Sequence, residues 1–541
     1  MDRLVDSKVD NVRTRLASQW MWKNNYGWDW DSVKMTAFYK WAKMLQDRDI
    51  SITLNASWHM SDFMGFYNYK TNPSTSIASA HSSIPEVSYL HGYNDSRVFI
   101  DDLYGEDAKA KALANKGREI GIELTDDEFA HYSVCAVRYG EWIKQAVLSF
   151  KAHGINSVEY IIPFTETGYL KKGDPTYSYD EWTFMVMGLH DAFKEAGIRD
   201  DYKFIGPSQS NNVLQNREVE FVEYIYEKIR GSQYKDMIDI VAMHQYTSPN
   251  PEQGYPNTIY DPYSSYSKPA QNFPYFKDIC ENAGVSDKEF WCDEYFAYSP
   301  DAKWWNNVGM QMTQFAAGLT AGINTGVNRF LTWQIFDTLW DGEATHGTAI
   351  IDNSSEFSGG IHAVGTCPSL VHVDGKTCPK GDSCPCTANY TISSYLPRTT
   401  YYGINLIGRF MNNENADVLA TEVIDEAIND GGGVYVSAIK NDDGNTVILV
   451  VNTMPTTSSV DIQLENAEYS DFARYTYNPN EIIPTVEAKP IQSDKKISLD
   501  GANAFYDVIP AQSFSIYVAL GKIIGDDVDM DIPDSFFDEI A

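Results

Sequence analysis

Apolar positions along the chain gather into short β-rich runs, separated by stretches with helical spacing. The runs are VDNVRTRLASQW (9–20), ISITLNASW (50–58), VEYIIPFTE (158–166), KFIGPSQS (203–210), IDIVAMHQY (238–246), EFWCDEYFAY (289–298) and RFLTWQIFD (329–337). Between them lie amphipathic segments such as MTAFYKWAKMLQDRD and GEWIKQAVLSFKAHG. The second is closed by Gly154, a residue suited to the left-handed turn that ends helices. Strands alternating with helices predict an α/β fold on a parallel sheet. Each run begins apolar and ends polar or aromatic, the pattern of a (β/α)8 TIM barrel whose strand ends carry the chemistry. Seven such strands are readable rather than eight, and the first, close behind Met1, has the look of a barrel's second strand. Either a segment without a strand signature supplies the first strand, or the sequence lacks it.

The texture changes near residue 401. GVYVSAIKN, TVILVVNT, SVDIQLE, ARYTYNP, ISLDG and FYDVIPAQSFSIYVAL are short strands parted by Asn, Asp, Gly and Pro. They predict an antiparallel β-sandwich. The expected organisation is a barrel domain over 1–400 with insertions at 63–127 and 360–390, a sandwich over 401–522, and an acidic tail over 523–541. The first insertion is expected to build part of a cleft wall. The sandwich is expected to brace the barrel, because its strands carry no row of aromatic residues.

Composition narrows the partners. A hydrophobic content of 43% over 541 residues supports a large core. A formal charge of −33 argues against nucleic acid, whose phosphates call for a basic surface. No apolar run reaches the roughly 18–20 residues that span a bilayer, and the N-terminal stretch lacks the apolar core of a signal peptide. Four of the seven cysteines, Cys367, Cys378, Cys384 and Cys386, crowd into one loop. Their spacing fits zinc poorly and reads better as two disulfides, which imply an oxidising compartment. Sequons at Asn55, Asn94, Asn353 and Asn389 are compatible with secretion. The expected location is therefore extracellular, with the export signal outside this chain. Cys135, Cys280 and Cys292 read as ordinary buried thiols.

The candidate chemistry rests on two glutamates. Glu166 in PFTETG and Glu294 in WCDEYF each end an apolar run, so both would stand at the same face of the sheet. A strand that only fills a core has no need of a charge there. The plainer alternative is a glutamate paired with a nearby Arg or Lys. Two carboxylates on different strands of a rigid scaffold can flank a glycosidic bond, one protonating the leaving oxygen and the other acting on the opposite face of the sugar. No metal cluster, phosphate-cradling glycine loop or Ser-His-Asp order competes, and no cofactor is implied. A carbohydrate substrate suits the 35 Tyr and 13 Trp, several of them in segments that read as rim loops.

Taken in order, HGINSVEYIIPFTETG with YDEW after it, FIGPSQS, MHQY, FWCDEY, LTWQIFDTLW, GGIHAVG and YYGINLIGRF make the chain resemble the clan A retaining glycoside hydrolases. The resemblance spans roughly residues 9–520, including the sandwich found in β-xylosidase, glucosylceramidase and endoglucanase-type groups. It implies Glu166 as general acid/base, Glu294 as nucleophile, and Arg13 beside the nucleophile, where a positive charge would keep Glu294 ionised. Arg15 shares the parity of Arg13 along the strand. The clan's asparagine before the acid/base, which bonds the sugar 2-hydroxyl, is Thr165 here.

Other strand ends suit substrate contacts. His244 and Tyr246 alternate and so face one side, Tyr246 within reach of the nucleophile; the alternative is a core histidine and a packed tyrosine. Trp333 would floor a sugar subsite or fill the core. Asn55, Trp58 and His59 end the second run and would reach hydroxyls or pack a loop. Asp293 is expected to point away from Glu294, as strand neighbours do. The leading expectation is a retaining hydrolase of β-linked saccharides. A sugar-binding or scaffold protein without turnover is the alternative that Thr165 and the unread strand suggest, and a transglycosylase would share the covalent intermediate.

Overall fold

The computed structural model describes residues 2–16, 22–23, 27–56, 107–165, 179–209, 220–247, 264–297, 308–332, 338–340, 343–346, 399–424, 433–465, 469–483, 489–501 and 503–520. The fold is mixed α/β. The first part runs α1 (Asp2–Asp6), β1 (Asn11–Arg15), a small hairpin of β2 (Trp22–Lys23) and β3 (Gly27–Trp28), α2 (Val33–Gln46) and β4 (Ser51–Asn55). It continues with α3 (Ala108–Glu119), α4 (Asp126–Ala152), β5 (Val158–Ile162), α5 (Tyr179–Glu195), β6 (Lys203–Phe204), α6 (Glu220–Ile229) and β7 (Ile240–Thr247). Then come α7 (Ser264–Asn282), β8 (Glu289–Ala297), α8 (Val308–Thr325), β9 (Arg329–Thr332), a hairpin of β10 (Thr338–Trp340) and β11 (Glu343–His346), and α9 (Thr399–Met411).

Seven parallel strands lie side by side in chain order. β1, β4, β5 and β6 form one ladder and β7, β8 and β9 another. Parallel bridges Ile205 to Ile240 and Gln209 to Met243 join β6 to β7. Ile162, Ile205, Ile240, Ala242, Trp291 and Leu331 form one cluster on the inner face. Tyr160 of β5 meets Trp291 of β8 at 4.7 Å between ring centroids, and the Arg329 guanidinium of β9 lies over both rings. Strands that are not neighbours in the ladder touch there, so the sheet is strongly curled. Among the described residues no ladder joins β1 to β9. Side chains cross that seam instead: Arg329 Nη2 lies 3.4 Å from Asp10 Oδ2, and α9 holds the first turn through Asn405 Nδ2 to the Asp6 carbonyl at 2.8 Å.

The helices form by recognisable local rules. In α2 the Ser32 hydroxyl accepts from Met35 N, and Met35, Phe38, Tyr39, Ala42 and Leu45 make one apolar face. α4 opens with a Thr125–Glu128 capping box. It closes as expected at Gly154, φ +75°, with Ile155 N donating to the Phe150 carbonyl. α4 and α5 cross so closely that a Cβ on Gly188 would lie 2.6 Å from the Ala136 carbonyl oxygen. α3 buries Ala110, Leu113, Ala114 and Gly117, with Gly117 against Phe184 of α5, so its alanine-rich face joins the helical layer.

The C-terminal strands are β12 (Asp417–Leu419), β13 (Val434–Lys440), β14 (Thr446–Asn452), β15 (Ser458–Gln463), β16 (Asp471–Tyr477), β17 (Lys495–Ser498), β18 (Ala504–Ile509) and β19 (Ser513–Ala519). Six of them make an antiparallel sheet in the order β12-β13-β14-β19-β16-β17, and β15 pairs with β18 as a ribbon. The central run TVILVVN is buried along its whole length. Ile448 and Val450 pack in the cluster shared with Phe505 and Ile509 of the ribbon, while Val447, Leu449 and Val451 join the large core containing α8 and α9. The ribbon is also tied by charge: buried Asp507 accepts from both Arg474 Nη1 and Lys495 Nζ at 2.9 Å, and from Tyr517 Oη at 2.9 Å. Among the described residues no helix is long and apolar enough to cross a membrane. Cys135, Cys280 and Cys292 are buried, as expected.

Candidate active site

At the C-terminal ends of the parallel strands, five of the expected residues meet. The Glu294 side chain is 3% exposed. Its Oε2 accepts from Arg13 Nη1 at 3.0 Å, and its Oε1 accepts from the Tyr246 hydroxyl. His244 Nε2 lies 3.5 Å from Oε2. Arg13 also donates through Nη2 to Thr165 Oγ1 at 2.6 Å and through Nη1 to the Asp293 carbonyl at 2.5 Å. One guanidinium therefore ties the end of β1 to the turn after β5 and to the middle of β8. Arg13 is joined to Glu294 by a described contact, and the Arg15 side chain lies outside the described ones.

Several elements hold these side chains in place. Tyr139 of α4 donates to the Pro163 carbonyl and stacks on Phe164 at 4.7 Å, which fixes the turn that presents Thr165. His244 and Tyr246 alternate along β7 and both reach Glu294, as their parity predicts. Burial and the nearby charge of Arg13 lower the His244 pKa to about 3, against the pull of Asp293, so the ring is neutral at ordinary pH. Asn55 ends β4, the strand between those of Arg13 and Thr165, and its side chain is buried. That burial is incompatible with a glycan at its sequon in the folded chain.

Asp293 corrects the expectation from strand alternation. Cys292 and Tyr295 both pack on the helical side, Tyr295 Oη donating to the Phe315 carbonyl of α8. Residues three apart cannot share a face of a regular strand. The register of β8 shifts by one residue against both β7 and β9 at this point. The bulge absorbs the extra residue and turns Asp293 and Glu294 to the same side. It also leaves the Asp293 carbonyl for Arg13 to bond. Asp293 is fully buried, with Oδ2 accepting from Ser208 Oγ at 2.6 Å and lying 3.7 Å from Arg13 Nη1.

Ser208 is the residue whose role the sequence pattern did not single out. It sits after β6 at φ +45°, a conformation a side-chain-bearing residue adopts at some cost. Its hydroxyl lies between Asp293 and His244 Nε2, 3.1 Å from the ring. The only sequence trace is the GPSQ step after an apolar run. Glu166, Trp58, His59 and Trp333 lie outside the described residues, as do Cys367, Cys378, Cys384 and Cys386 and the sequons at Asn94, Asn353 and Asn389.

No family model and no curated protein matches this chain. Solved structures do. A glycoside hydrolase family 30 subfamily 8 xylanase from Clostridium acetobutylicum is similar at 15% identity with a TM-score of 0.50, covering 96% of this chain and 93% of that one. A conserved exported protein from Bacteroides fragilis is similar at 12% identity with a TM-score of 0.52, covering 94% of this chain and 88% of that one. At these identities the likeness is one of fold. It extends over nearly the whole of each chain, and the resemblance to clan A glycoside hydrolases is thereby borne out at the level of fold.

Proposed function

We propose that the protein is a retaining glycoside hydrolase of β-linked saccharides, built as a (β/α)8 barrel over 1–400 with a β-sandwich over 401–522 and an acidic tail over 523–541. The observation that carries this reading is the Glu294 carboxylate. Each of its oxygens is held by a different strand, Oε2 by Arg13 of β1 and Oε1 by Tyr246 of β7. A carboxylate fixed in this way on a rigid strand has the aim that attack on an anomeric carbon requires. Thr165, which Arg13 ties into the same cluster, directly precedes Glu166 in the sequence.

In this reading Glu294 attacks the anomeric carbon as the Glu166 carboxyl gives its proton to the leaving oxygen. The C–O bond to the leaving group breaks and a glycosyl ester forms on Glu294. Glu166, now a carboxylate, takes a proton from water, and that water oxygen displaces Glu294 from the sugar. Asn55, Trp58, His59, His244 and Trp333 would line the sugar subsite. The fold neighbour from Clostridium acetobutylicum makes xylan the first polymer to test. The four cysteines of the 360–390 insertion and the exported neighbour support an extracellular site of action.

The test is hydrolysis of xylan and of aryl β-glycosides by the wild type and by Glu166→Gln and Glu294→Gln. Loss of turnover on the order of 10³-fold or more in each variant, with β-configured sugar released first by the wild type, is the expected result. Inverted product would replace the nucleophile role of Glu294 with that of a base activating water. Undiminished sugar binding without turnover in the wild type would leave a carbohydrate-binding protein on the same fold.

A further inference from the structure

Asp293 is a buried carboxylate that the double displacement does not use. A charge with no solvent and no role is costly to keep, and its partners point to a function. Ser208 has one hydroxyl proton, and it donates that proton to Asp293 Oδ2 at 2.6 Å. The 3.1 Å contact between Ser208 Oγ and His244 Nε2 must then be donated by the ring. The neutral imidazole therefore carries its proton on Nε2. Its Nδ1 is buried without a hydrogen-bond partner, which suits a bare lone pair better than an N–H. The Nε2 that this arrangement protonates is the one 3.5 Å from Glu294 Oε2.

Among the described residues, the charged and titratable groups facing this cluster are Arg13 from β1, His244 and Tyr246 from β7, and Glu294 and Cys292 from β8. Cys292 Sγ turns to the Glu294 carbonyl, and burial pushes its thiol well above the ordinary range. None of these groups offers His244 a competing acceptor at Nδ1.

We propose that Asp293, acting through Ser208, is a positioning residue that locks His244 in the neutral Nε2–H tautomer and so keeps a bare ring lone pair from facing the Glu294 carboxylate 3.5 Å away. Its consequence for catalysis rests on the glycosidase reading, whereas the tautomer itself does not. An amide in place of a carboxylate that orients an imidazole can leave the geometry intact and still reverse the tautomer. In Asp293→Asn the amide can donate to Ser208, which frees the serine proton for His244 Nε2.

The experiment is 15N NMR of histidine-labelled full-length protein at neutral pH, with the His244 signals assigned by their loss in His244→Gln. Protonated and bare ring nitrogens resonate far apart, so the tautomer is read directly. The wild type is expected to show Nε2–H, and Asp293→Asn to shift the population towards Nδ1–H. Ser208→Ala, which removes only a hydroxyl, carries the test if the Asn variant does not fold; it is expected to lose the single-tautomer signature. In both variants kcat should fall roughly 10- to 100-fold, the range of one hydrogen bond to a charged group, with KM nearly unchanged. A wild-type Nδ1–H signal, or variants that keep both the tautomer and kcat, would overturn the proposal. Full activity in Glu294→Gln would instead overturn the glycosidase reading and leave the tautomer result standing.

Discussion

Single residues at this site are held by partners from distant parts of the chain, and their substitution should separate fold from chemistry. Tyr246 gives Glu294 Oε1 its hydroxyl hydrogen bond, and its ring is half-buried. Tyr246→Phe removes one bond to a charged oxygen, worth about 1.5–3 kcal/mol. We predict that kcat/KM falls roughly 10- to 100-fold while the urea midpoint stays within error of the wild type; an equal fall in both would make Tyr246 a packing residue. His244 and Tyr246 were readable from the period of two along their strand, and Glu294 and Arg13 from the place of a charge in an apolar run together with the resemblance. Asp293 and Ser208 were not. The side of Asp293 depends on a bulge, and the place of Ser208 on one backbone angle, and neither leaves a periodic trace in the sequence.

At the level of elements, all seven parallel strands lie where the apolar runs placed them, and the differences are at their ends. KFIGPSQS is a ladder strand only over Lys203–Phe204, because Pro207 has no N–H to give and Ser208 turns at φ +45°. FYDVIPAQSFSIYVAL is two strands, broken at Pro510 and at Gln512 with φ +52°. GEWIKQAVLSFKAHG is the second half of α4, whose first half was hidden by its polar opening turn. β12 was missed because its exposed edge carries no alternation of apolar residues. The close α4–α5 contact was also invisible, since a lone glycine in a helical pattern carries no direction. Gly188→Ala places a methyl group 2.6 Å from the Ala136 carbonyl, backbone that cannot rotate away. The expected loss is ~1–3 kcal/mol, read as a lower urea midpoint at unchanged slope; an unchanged midpoint would mean that α4 and α5 separate freely.

For the molecule as a whole, the antiparallel sheet and the parallel strands are joined through α8 and α9, and the ribbon is locked on by Asp507. Burial works against the charge of Asp507. Hydrogen bonds from Lys495, the Val508 amide, Arg474 and Tyr517 outweigh it and hold the carboxyl below the ordinary aspartate range. A depressed pKa in the folded state adds stability above the unfolded value of about 3.9 and loses it as pH falls through the folded value. Asp507→Asn should therefore cost about 3 kcal/mol at neutral pH, the low end for one partner removed from a buried pair, because Arg474 keeps Asp494. The gap between variant and wild type should close below about pH 4 in thermal melts. A gap independent of pH would assign the loss to shape rather than charge.

The hold of α9 on the first turn also has a meaning in time. Asn405 and the Asp6 carbonyl it bonds are 399 positions apart. On a ribosome adding roughly 5–20 residues per second, about 20–80 s pass between the synthesis of one and the other. Arg13 likewise emerges long before the carboxylate 281 positions downstream that it will face. Through that interval the nascent chain carries β1 with no α9 to hold the turn before it and a guanidinium with no counter-charge, so a segment made early waits long for its partners.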